Sequence, residues 1–187
     1  MKKKTLISII ITYYKKKIFL KKTIQSILKQ SYKNYELIFV YDDKDKKDIR
    51  FINNTLRKIK RKKILINKKN LGVARSRNIA IKKSKGSYLA FIDSDDIWKK
   101  NKLLNQLNFM KKHSCYFSFT SYGIINEKDV VVGIRKVILD ANYNNLYNSN
   151  FIGLNTVMIH KKLFKKIIFQ NLKTQEDFAL WLKLARQ

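Results

Sequence analysis

Cysteine, histidine and proline are scarce in this sequence of 187 residues, which has one cysteine, two histidines and no proline. With Cys115 alone no internal disulfide can form, which agrees with a reducing compartment such as the cytoplasm. His113 and His160 share no metal-ligand spacing with each other or with Cys115. We therefore expect both histidines at the surface or in packing, not in a metal site.

Long apolar runs are also missing, because lysines interrupt every longer window, and so no membrane span is predicted. The basic start and short apolar run of residues 1–12 are too short for a signal peptide and lack its cleavage site. The phosphate-binding patterns G-x-x-x-x-G-K-[ST] and G-x-G-x-x-G are absent, as is a Ser/His/Asp arrangement. With 45% hydrophobic residues, the composition is that of a globular protein, which we expect in the cytoplasm.

Acidic residues are few: 13 stand against 42 basic ones, for a formal net charge of +29. One interpretation is attraction to a polyanion, such as nucleic acid, an anionic membrane face or a phosphate-bearing substrate, with the membrane as the best functional use. The other is compositional, since lysines are spread along the whole chain and A/T-rich coding produces such a mixture. Charge alone identifies no activity, and both interpretations stay open.

The apolar pattern predicts strands that alternate with helices, with strands at Leu6–Thr12, Glu36–Tyr41, Lys63–Ile66 and Tyr88–Ile92. This order indicates an α/β fold, with a mostly parallel sheet flanked by helices on both sides. The second half is predicted to be mixed, with short β segments and a mobile loop at Asn142–Asn150. Those β segments are predicted around Tyr116–Phe119, Val130–Ile134 and Thr156–His160. We expect residues 1–187 to form one domain.

Nearly half of the carboxylates follow two of these strands, namely Asp42, Asp43, Asp45, Asp93, Asp95 and Asp96. Ligands of open α/β sheets bind outside the carboxyl ends of the strands. Thr12 and Tyr14 also follow a strand, the first one. The functional residues are therefore expected along this edge of the sheet.

Asp93-Ser94-Asp95 has the form D-x-D, in which two carboxylates on one turn can point to the same side. They would offer hard oxygen ligands to Mg²⁺ or Mn²⁺, with a diphosphate and water completing the shell. The alternative is a solvated turn that caps the next helix. The apolar strand before the motif and the second acidic cluster favour the metal.

Three further sets of polar residues have two interpretations each. Asp42-Asp43 can bind a nucleobase or ribose edge, or can form an ordinary turn. Arg77, near the start of a predicted helix, can bridge diphosphate oxygens or steady the acidic cluster, whereas Arg75 is expected at the surface. Asp177 opens the last predicted helix, where it can act as a general base or favour the helix N-terminus.

Together these segments resemble those of the inverting family 2 glycosyltransferases with the GT-A fold. The matches occur in the family's order: the opening strand with T-x-Y, S-(V/I)-L-x-Q-(T/S)-Y, a strand ending in an Asp pair, N-x-G…A-R-N, G-x-Y-(I/L)-x-F-(L/I)-D-x-D-D and E-D-x-x-L-W-L. They lie at residues 8–14, 24–32, 35–43, 70–78, 85–96 and 176–182.

This resemblance implies a GT-A, Rossmann-like sheet with a mixed acceptor-side half. It also implies transfer of one sugar from a nucleotide-diphosphate sugar, first of all a UDP-sugar, because the Q-x-x-R-W motif of processive synthases is absent. Residues 1–98 would then bind the nucleotide sugar and residues 99–187 the acceptor. The chain stops soon after the helix that carries Asp177, so a truncated or minimal member is expected.

The resemblance also assigns the site residues. Thr12, Tyr14 and Asp43 would contact the nucleoside, with Asp42 beside them, and Arg77 would lie near the donor diphosphate.

The remaining roles concern the metal and the reaction. Asp93 and Asp95 would hold Mg²⁺ or Mn²⁺ and the diphosphate-sugar, and Asp177 would be the base of a single inverting displacement.

The acceptor expected from the resemblance is a glycan or a lipid-linked sugar in surface-polysaccharide, lipopolysaccharide or glycolipid assembly. Peripheral contact with the anionic inner face of the membrane belongs to this expectation, and nucleic acid does not. Two alternatives remain: a polybasic protein that binds nucleic acid or anionic membrane, and a glycosyltransferase-like domain without catalysis.

Overall fold

A computed structural model describes residues 4–137, 142–165 and 167–186 of the chain. Its main sheet has six strands in the order β3-β2-β1-β4-β8-β5, and β6 and β7 form a separate two-stranded ribbon. The strands are β1 Ile7–Tyr13, β2 Tyr35–Tyr41, β3 Lys62–Ile66, β4 Tyr88–Phe91, β5 Phe117–Ser118, β6 Tyr122–Ile125, β7 Val131–Arg135 and β8 Met158–His160.

Helices connect the strands of the first half and complete the second. They are α1 Lys17–Leu28, α2 Ile49–Leu56, α3 Val73–Lys83, α4 Lys102–Lys112, α5 Tyr143–Asn148 and α6 Glu176–Ala185. Short 3₁₀ helices lie at Leu154–Thr156 and Lys161–Lys165.

The strands β1 to β4 are parallel, so their carboxyl ends meet at one edge of the sheet. Tyr13 of β1 lies opposite Tyr41 of β2, and Ile10 lies opposite Phe91 of β4. Asp42 therefore comes one residue after Tyr41, the partner of Tyr13 in β1. Asp93 comes two residues after Phe91, the partner of Ile10 in β1. The acidic clusters lie on either side of the end of β1, about 10 Å apart across two strand spacings.

Successive residues of the central strands pack into two different cores. Ile9 and Ile11 of β1 face a core that includes the apolar stripes of α1, α2 and α4. Ile10 faces the opposite core, together with residues of α3 and α6. Burial on both faces explains why β1 is an almost continuous run of isoleucine.

In the second half β8 pairs antiparallel with β4, and β5 pairs antiparallel with β8. Buried Gln106 of α4 holds this region together, because its Nε2 donates to the carbonyl oxygens of Ser118 and Thr156 at 3.0 and 2.9 Å. The indole of Trp98 donates to the carbonyl oxygen of Asn155 at 2.8 Å. These bonds attach the 3₁₀ helix to the edge where β4 ends.

The predicted fold class is confirmed: the sheet is mostly parallel, has helices on both faces and becomes mixed in the second half. The loop predicted at Asn142–Asn150 is wrong in its centre, where α5 forms. The side chain of Asn142 caps this helix by accepting a bond from the backbone N–H of Asn145 at 3.0 Å, and Leu146 is buried. The composition of the segment suggested a loop, but a cap and one buried leucine make a short helix stable.

No helix among the described residues is long and apolar enough to cross a lipid bilayer.

Gly86 allows the turn before β4 to lie against β1. A Cβ built on Gly86 would lie 2.5 Å from the backbone nitrogen of Ser8. The backbone N–H of Gly86 donates to Ser8 Oγ at 2.8 Å. Gly86→Ala should therefore lower the free energy of unfolding by about 3 kcal/mol, the upper end of overpacking costs. Urea unfolding measures this change.

Gly133→Ala is the matched control, because the nearest atom to its added Cβ is the Cδ1 of Ile124 at 3.6 Å, an ordinary contact. Its unfolding free energy should change by less than about 0.5 kcal/mol. If the two variants lost the same free energy of unfolding, this would contradict the close approach of Gly86 to Ser8.

Candidate functional site

Two hydrogen-bonded groups of polar residues lie at the edge where the parallel strands end, one around Asp42 and one around Arg77. Asp42 is buried there and organises the loop that leads to α3. Its Oδ1 accepts bonds from Asn67 Nδ2 at 2.7 Å and from the backbone N–H of Leu71 at 2.8 Å. Asn70 donates to the carbonyl oxygen of Asp42 at 3.2 Å, and Gly72 supplies the left-handed backbone, with φ of +84°, before the helix.

Asp43, the second member of the pair, is buried, and its Oδ1 accepts the backbone N–H of Asp45 at 3.1 Å. This bond is a local turn that fixes the carboxylate at the strand end. Thr12 is half-buried and Tyr14 is 46% exposed on the neighbouring strand end. The Tyr14 ring is thus partly exposed, with Lys15 Nζ 5.1 Å from its centroid.

Tyr13, between these two residues, points into the core instead. Its ring stacks on Tyr41 at 5.5 Å between centroids, and its hydroxyl donates to Asp48 at 2.7 Å. Burial and the Asp48 carboxylate raise the pKa of Tyr13 well above its usual value. This buried pair fixes the ends of β1 and β2 relative to each other.

Arg77 on α3 joins two acidic segments that are far apart in the sequence. Its Nη2 donates to Asp93 Oδ1 at 2.9 Å, and its Nη1 donates to Glu176 Oε1 at 2.5 Å. The guanidinium lies 5.4 Å from the centroid of the Phe169 ring, and only 5% of the side chain is exposed. A planar guanidinium with several donors is suited to such a bridge. It therefore brings the D-x-D turn and the start of α6 together.

Asp93 and Asp95 remain partly open to solvent, with 40% and 35% of their side chains exposed. Lys16, just before α1, lies 2.9 Å from Asp95 Oδ2. Its hydrogen bond to Asp95, with the charges of the neighbouring aspartates, raises the pKa of Lys16. An ammonium group therefore already interacts with one carboxylate of the pair.

The third aspartate of the turn, Asp96, has a raised pKa. Burial raises its pKa to about 7, and the charges of Asp93 and Asp95 add to this, while a hydrogen bond with the side chain of Asn155 opposes it. The turn therefore holds one buried carboxyl, Asp96, beside two partly exposed ones that are each paired with a cation.

The described parts of the chain contain no group of three or more His, Cys, Asp or Glu side chains arranged to hold a metal ion. What they offer is the partly exposed pair Asp93 and Asp95, each with hard oxygens. Mg²⁺ is commonly held by one or two carboxylates, with waters and substrate phosphates completing its shell. The pair therefore fits an ion that binds together with a phosphate-bearing substrate, not a closed protein cage.

Asp177 lies in the first turn of α6, one residue after Glu176. Burial raises the pKa of its carboxyl, and Glu176 adds to this, whereas the N–H of Phe178 and the charge of Arg77 lower it. Its Oδ1 accepts that N–H at 2.7 Å. The helix begins at Glu176, so Asp177 lies inside it and does not occupy the N-cap position. Arg77 thus acts electrostatically on both acidic motifs.

Other residues lie as the sequence suggested. Arg75 is exposed on α3, and His160 packs edge-on against the rings of Tyr88 and Tyr116, at 5.0 and 5.5 Å between centroids. Lys16 was not among the sequence candidates. The sequence feature that could have identified Lys16 is its place just after the end of a strand that has acidic clusters on both sides.

A model of the family described as Glycosyl transferase family 2 matches residues 8–179. The chain is 36% identical over 188 residues to the putative teichuronic acid biosynthesis glycosyltransferase TuaG of Bacillus subtilis (strain 168), covering 98% of this chain and 73% of that protein. It is 39% identical over 182 residues to the UDP-Glc:alpha-D-GlcNAc-diphosphoundecaprenol beta-1,3-glucosyltransferase WfaP of Escherichia coli, covering 96% and 70%.

Two solved structures share the fold. TarS 1-349 of S. aureus in complex with UDP-GlcNAc superposes with a TM-score of 0.79 at 23% identity, over 96% of this chain and 53% of that one. The mannosyltransferase PcManGT of Pyrobaculum calidifontis, in complex with GDP-Man and Mn²⁺, gives a TM-score of 0.70 at 15% identity, over 96% and 51%. The chain thus spans about half of each solved chain and about 70% of each curated relative. By the family match and these relatives, the chain belongs to glycosyl transferase family 2.

Proposed function

We propose that this glycosyltransferase moves one sugar, with inversion, from a nucleotide-diphosphate sugar to an acceptor hydroxyl, with the help of a divalent metal ion. The donor we propose is a UDP-sugar. Residues 1–98 provide the donor half of the site and residues 99–187 the acceptor half. The acceptor belongs to surface-polysaccharide, lipopolysaccharide or glycolipid assembly.

The contact of Arg77 with both Asp93 and Glu176 is the observation that carries this proposal. It joins the turn proposed for the donor diphosphate to the helix proposed for the base. A displacement at the anomeric carbon needs these two functions on opposite sides of one sugar. One buried guanidinium that bonds both segments supports such an arrangement.

On the donor side, Thr12, Tyr14 and Asp43 contact the nucleoside, and Asp42 holds the loop beside it. Tyr14 offers an exposed ring for the base, while the Asp43 carboxylate is fixed at the adjacent strand end. Arg77 steadies the diphosphate end of the cleft. These are proposals for each side chain.

Asp93 and Asp95 would hold Mg²⁺ or Mn²⁺, with donor diphosphate oxygens and water as the other ligands. When bound, the ion supplies Lewis-acid stabilisation of the charge that develops on the leaving diphosphate. The carboxylate of Asp95 must then exchange the Lys16 ammonium, 2.9 Å away, for that ion.

Asp177 acts as the general base. The acceptor oxygen forms a bond to the anomeric carbon while its proton passes to Asp177, and the bond from that carbon to the diphosphate oxygen breaks. The electron pair leaves with the nucleoside diphosphate. Because one displacement occurs from the face opposite the leaving group, the configuration inverts.

The relatives support the substrate class. WfaP is named for UDP-Glc and a diphosphoundecaprenol-linked GlcNAc, and TuaG for teichuronic acid biosynthesis. A UDP-sugar and a lipid-linked acceptor are accordingly our first choices for this chain. Such an acceptor is consistent with action in the cytoplasm, at the anionic inner face of the membrane.

Nucleotide binding tests the donor and metal assignments. UDP with Mn²⁺ at about 100 times its Kd should raise the melting temperature by about 5–10 °C. Asp95→Ala should abolish the Mn²⁺-dependent part of this shift, whereas Asp45→Ala, at an exposed acidic position, should keep it. A shift of equal size without metal, retained in Asp95→Ala, would refute the metal assignment.

Asp177→Asn separates catalysis from binding. It should keep the UDP shift and reduce transfer by about 10²–10⁴-fold, the usual contribution of a general base. Single-turnover transfer from a UDP-sugar to a GlcNAc-diphospholipid measures this loss. If the unaltered chain binds UDP but transfers to no acceptor, it is a binding domain and not an enzyme.

The acidic limb of the pH profile reports the same residue. A base must be ionised, so kcat/KM should fall as the pH drops through the pKa of Asp177. Burial raises that pKa, and the inflection should therefore lie above the ordinary aspartate value of about 3.9. A profile that stays flat down to pH 4 would argue against Asp177 as the base.

The Arg77 bridge can be tested by stability. Arg77→Met leaves Glu176 buried without its cation, which should lower the free energy of unfolding by about 3–5 kcal/mol. Arg75→Met, at an exposed position on the same helix, should change it by less than about 0.5 kcal/mol. Adding Glu176→Gln to Arg77→Met should restore part of the lost free energy of unfolding. If the losses of the two single variants simply added in the double variant, the bridge would not form.

A further inference from the structure

The ribbon of residues 122–135, made of β6, the turn and β7, concentrates exposed aliphatic side chains. Six of the fifteen exposed large hydrophobic residues in the described part of the chain belong to it: Ile124, Ile125, Val130, Val131, Val132 and Ile134. The last four are between 55% and 67% exposed. Such clustering on a protein surface marks an interaction site more often than scattered apolar residues do.

Both faces of the ribbon are open to solvent. Side chains alternate between the faces of a strand, so a ribbon packed on a core buries every second residue. Here the consecutive residues Val130, Val131 and Val132 are all more than half exposed. The ribbon therefore projects from the body of the protein, and its aliphatic residues are not explained by the core.

The turn of the ribbon is hydrogen-bonded internally and contacts α1. Asn126 Oδ1 accepts the backbone N–H groups of Lys128 and Val130, both at 3.0 Å. Asp129 accepts two bonds from Lys22 Nζ, at 2.9 and 2.8 Å. The ion pair places the turn of the ribbon against α1.

That position adjoins the candidate site. A cavity of about 250 Å³ lies between α1 and the ribbon, and both Asp95 and Ile125 line it. Lys16, the ion-pair partner of Asp95, lines the same cavity. A binding partner that contacts the ribbon would therefore lie beside the turn that we propose binds the metal.

Cationic residues accompany the aliphatic ones. Lys128, Arg135 and Lys136 are exposed on or next to the ribbon, and one of its two acidic side chains, Asp129, is paired with Lys22. The chain as a whole carries a net charge of +29. Aliphatic side chains among cations match the interface of an anionic bilayer, where both can be satisfied together.

We propose that the ribbon is a membrane-contact element that inserts its valine and isoleucine side chains into the interface of an anionic lipid bilayer. This places the cavity that Asp95 and Ile125 line next to the lipid surface, where a lipid-linked acceptor would present its sugar. The assignment of that acceptor rests on the proposed function, whereas bilayer binding needs neither donor nor acceptor.

A second copy of the chain is the competing occupant, since a two-stranded ribbon has unpaired edges. Two copies would each bring a charge of +29, and like charges of this size oppose association. An anionic bilayer is instead attracted by the same charge. The charge of the chain therefore favours lipid over self-association.

Vesicle sedimentation with the full chain tests the proposal. The ribbon variant Val131→Thr/Val132→Thr/Ile134→Thr keeps β-branched side chains, and hence strand propensity, while removing apolar groups. Its apparent affinity for vesicles of equal parts phosphatidylglycerol and phosphatidylcholine should fall at least fivefold. The control Phe109→Thr/Ile168→Thr/Leu172→Thr removes side chains of similar exposure elsewhere, at 52%, 56% and 44%, and should lose less than twofold.

Fluorescence gives a second readout that does not depend on affinity. Trp98 and Trp181 are buried, at 6% and 1% exposure, and should report little on lipid contact. A tryptophan introduced by Val132→Trp starts in water and should shift its emission to the blue when vesicles are added. No shift in this variant at saturating lipid would overturn the proposal.

Three other results would also overturn it. Equal vesicle binding by the ribbon and control variants would mean that charge alone drives the contact. Binding to neutral vesicles that matches binding to anionic ones would remove the role of the cations. A dimer in size-exclusion chromatography that the ribbon variant dissociates, without vesicle binding, would assign the ribbon to a second copy.

The membrane contact and the proposed function can be tested separately. The ribbon variant should retain the UDP-dependent rise in melting temperature, and Asp177→Asn should retain vesicle binding. Loss of nucleotide binding with intact vesicle binding would refute the proposed function alone, and the reverse would refute the membrane contact alone.

Discussion

The contact on which the site depends is the buried guanidinium of Arg77 between Asp93 and Glu176. Charges removed from water are costly unless they are paired and hydrogen-bonded. Here the Nη1 of Arg77 is paired with Glu176 and its Nη2 with Asp93. Glu176 and Arg77 are almost fully buried, so neither can lose the other without leaving an uncompensated charge. The D-x-D turn and the start of α6 are thus held together by the fold before any ligand binds.

Three aspartates lie close together at this edge, although the chain itself is strongly basic. Burial, and then the charges of Asp93 and Asp95, raise the pKa of Asp96 to about 7. Lys16 offsets part of the negative charge by pairing with Asp95. Under the proposed function, a bare diphosphate would be repelled by the carboxylates of this turn, whereas a diphosphate with a divalent ion would not. The basic surface would then attract the donor from a distance, and the acidic turn would favour the form that carries a cation.

The sequence predicted the strands and the edge of the sheet well, because both follow from local signals. Isoleucine-rich runs such as β1 are buried on both faces, and aspartates at the ends of β2 and β4 stand out in a basic chain. It did not predict the Lys16–Asp95 pair or the capped helix α5, since these depend on partners that only the folded chain brings together. The predicted roles of Thr12, Tyr14, Asp42 and the other site residues stay predictions, for the contacts show where they lie and not what they bind.

Helix α1 connects the candidate site to the ribbon. Lys16, directly before it, pairs with Asp95, and Lys22, within it, pairs with Asp129 in the turn of the ribbon. A two-stranded ribbon is only marginally stable alone, and exposed strands usually carry charges that prevent pairing with other chains. Here β7 instead presents valine and isoleucine in positions where the core gains nothing from them. Because the turn of the ribbon lies against α1 and beside Asp95, a bilayer that covers those side chains would also cover one side of the cavity that Asp95 lines. The same lipid surface would then hold the enzyme and present its acceptor, which reduces the search for that acceptor from three dimensions to two.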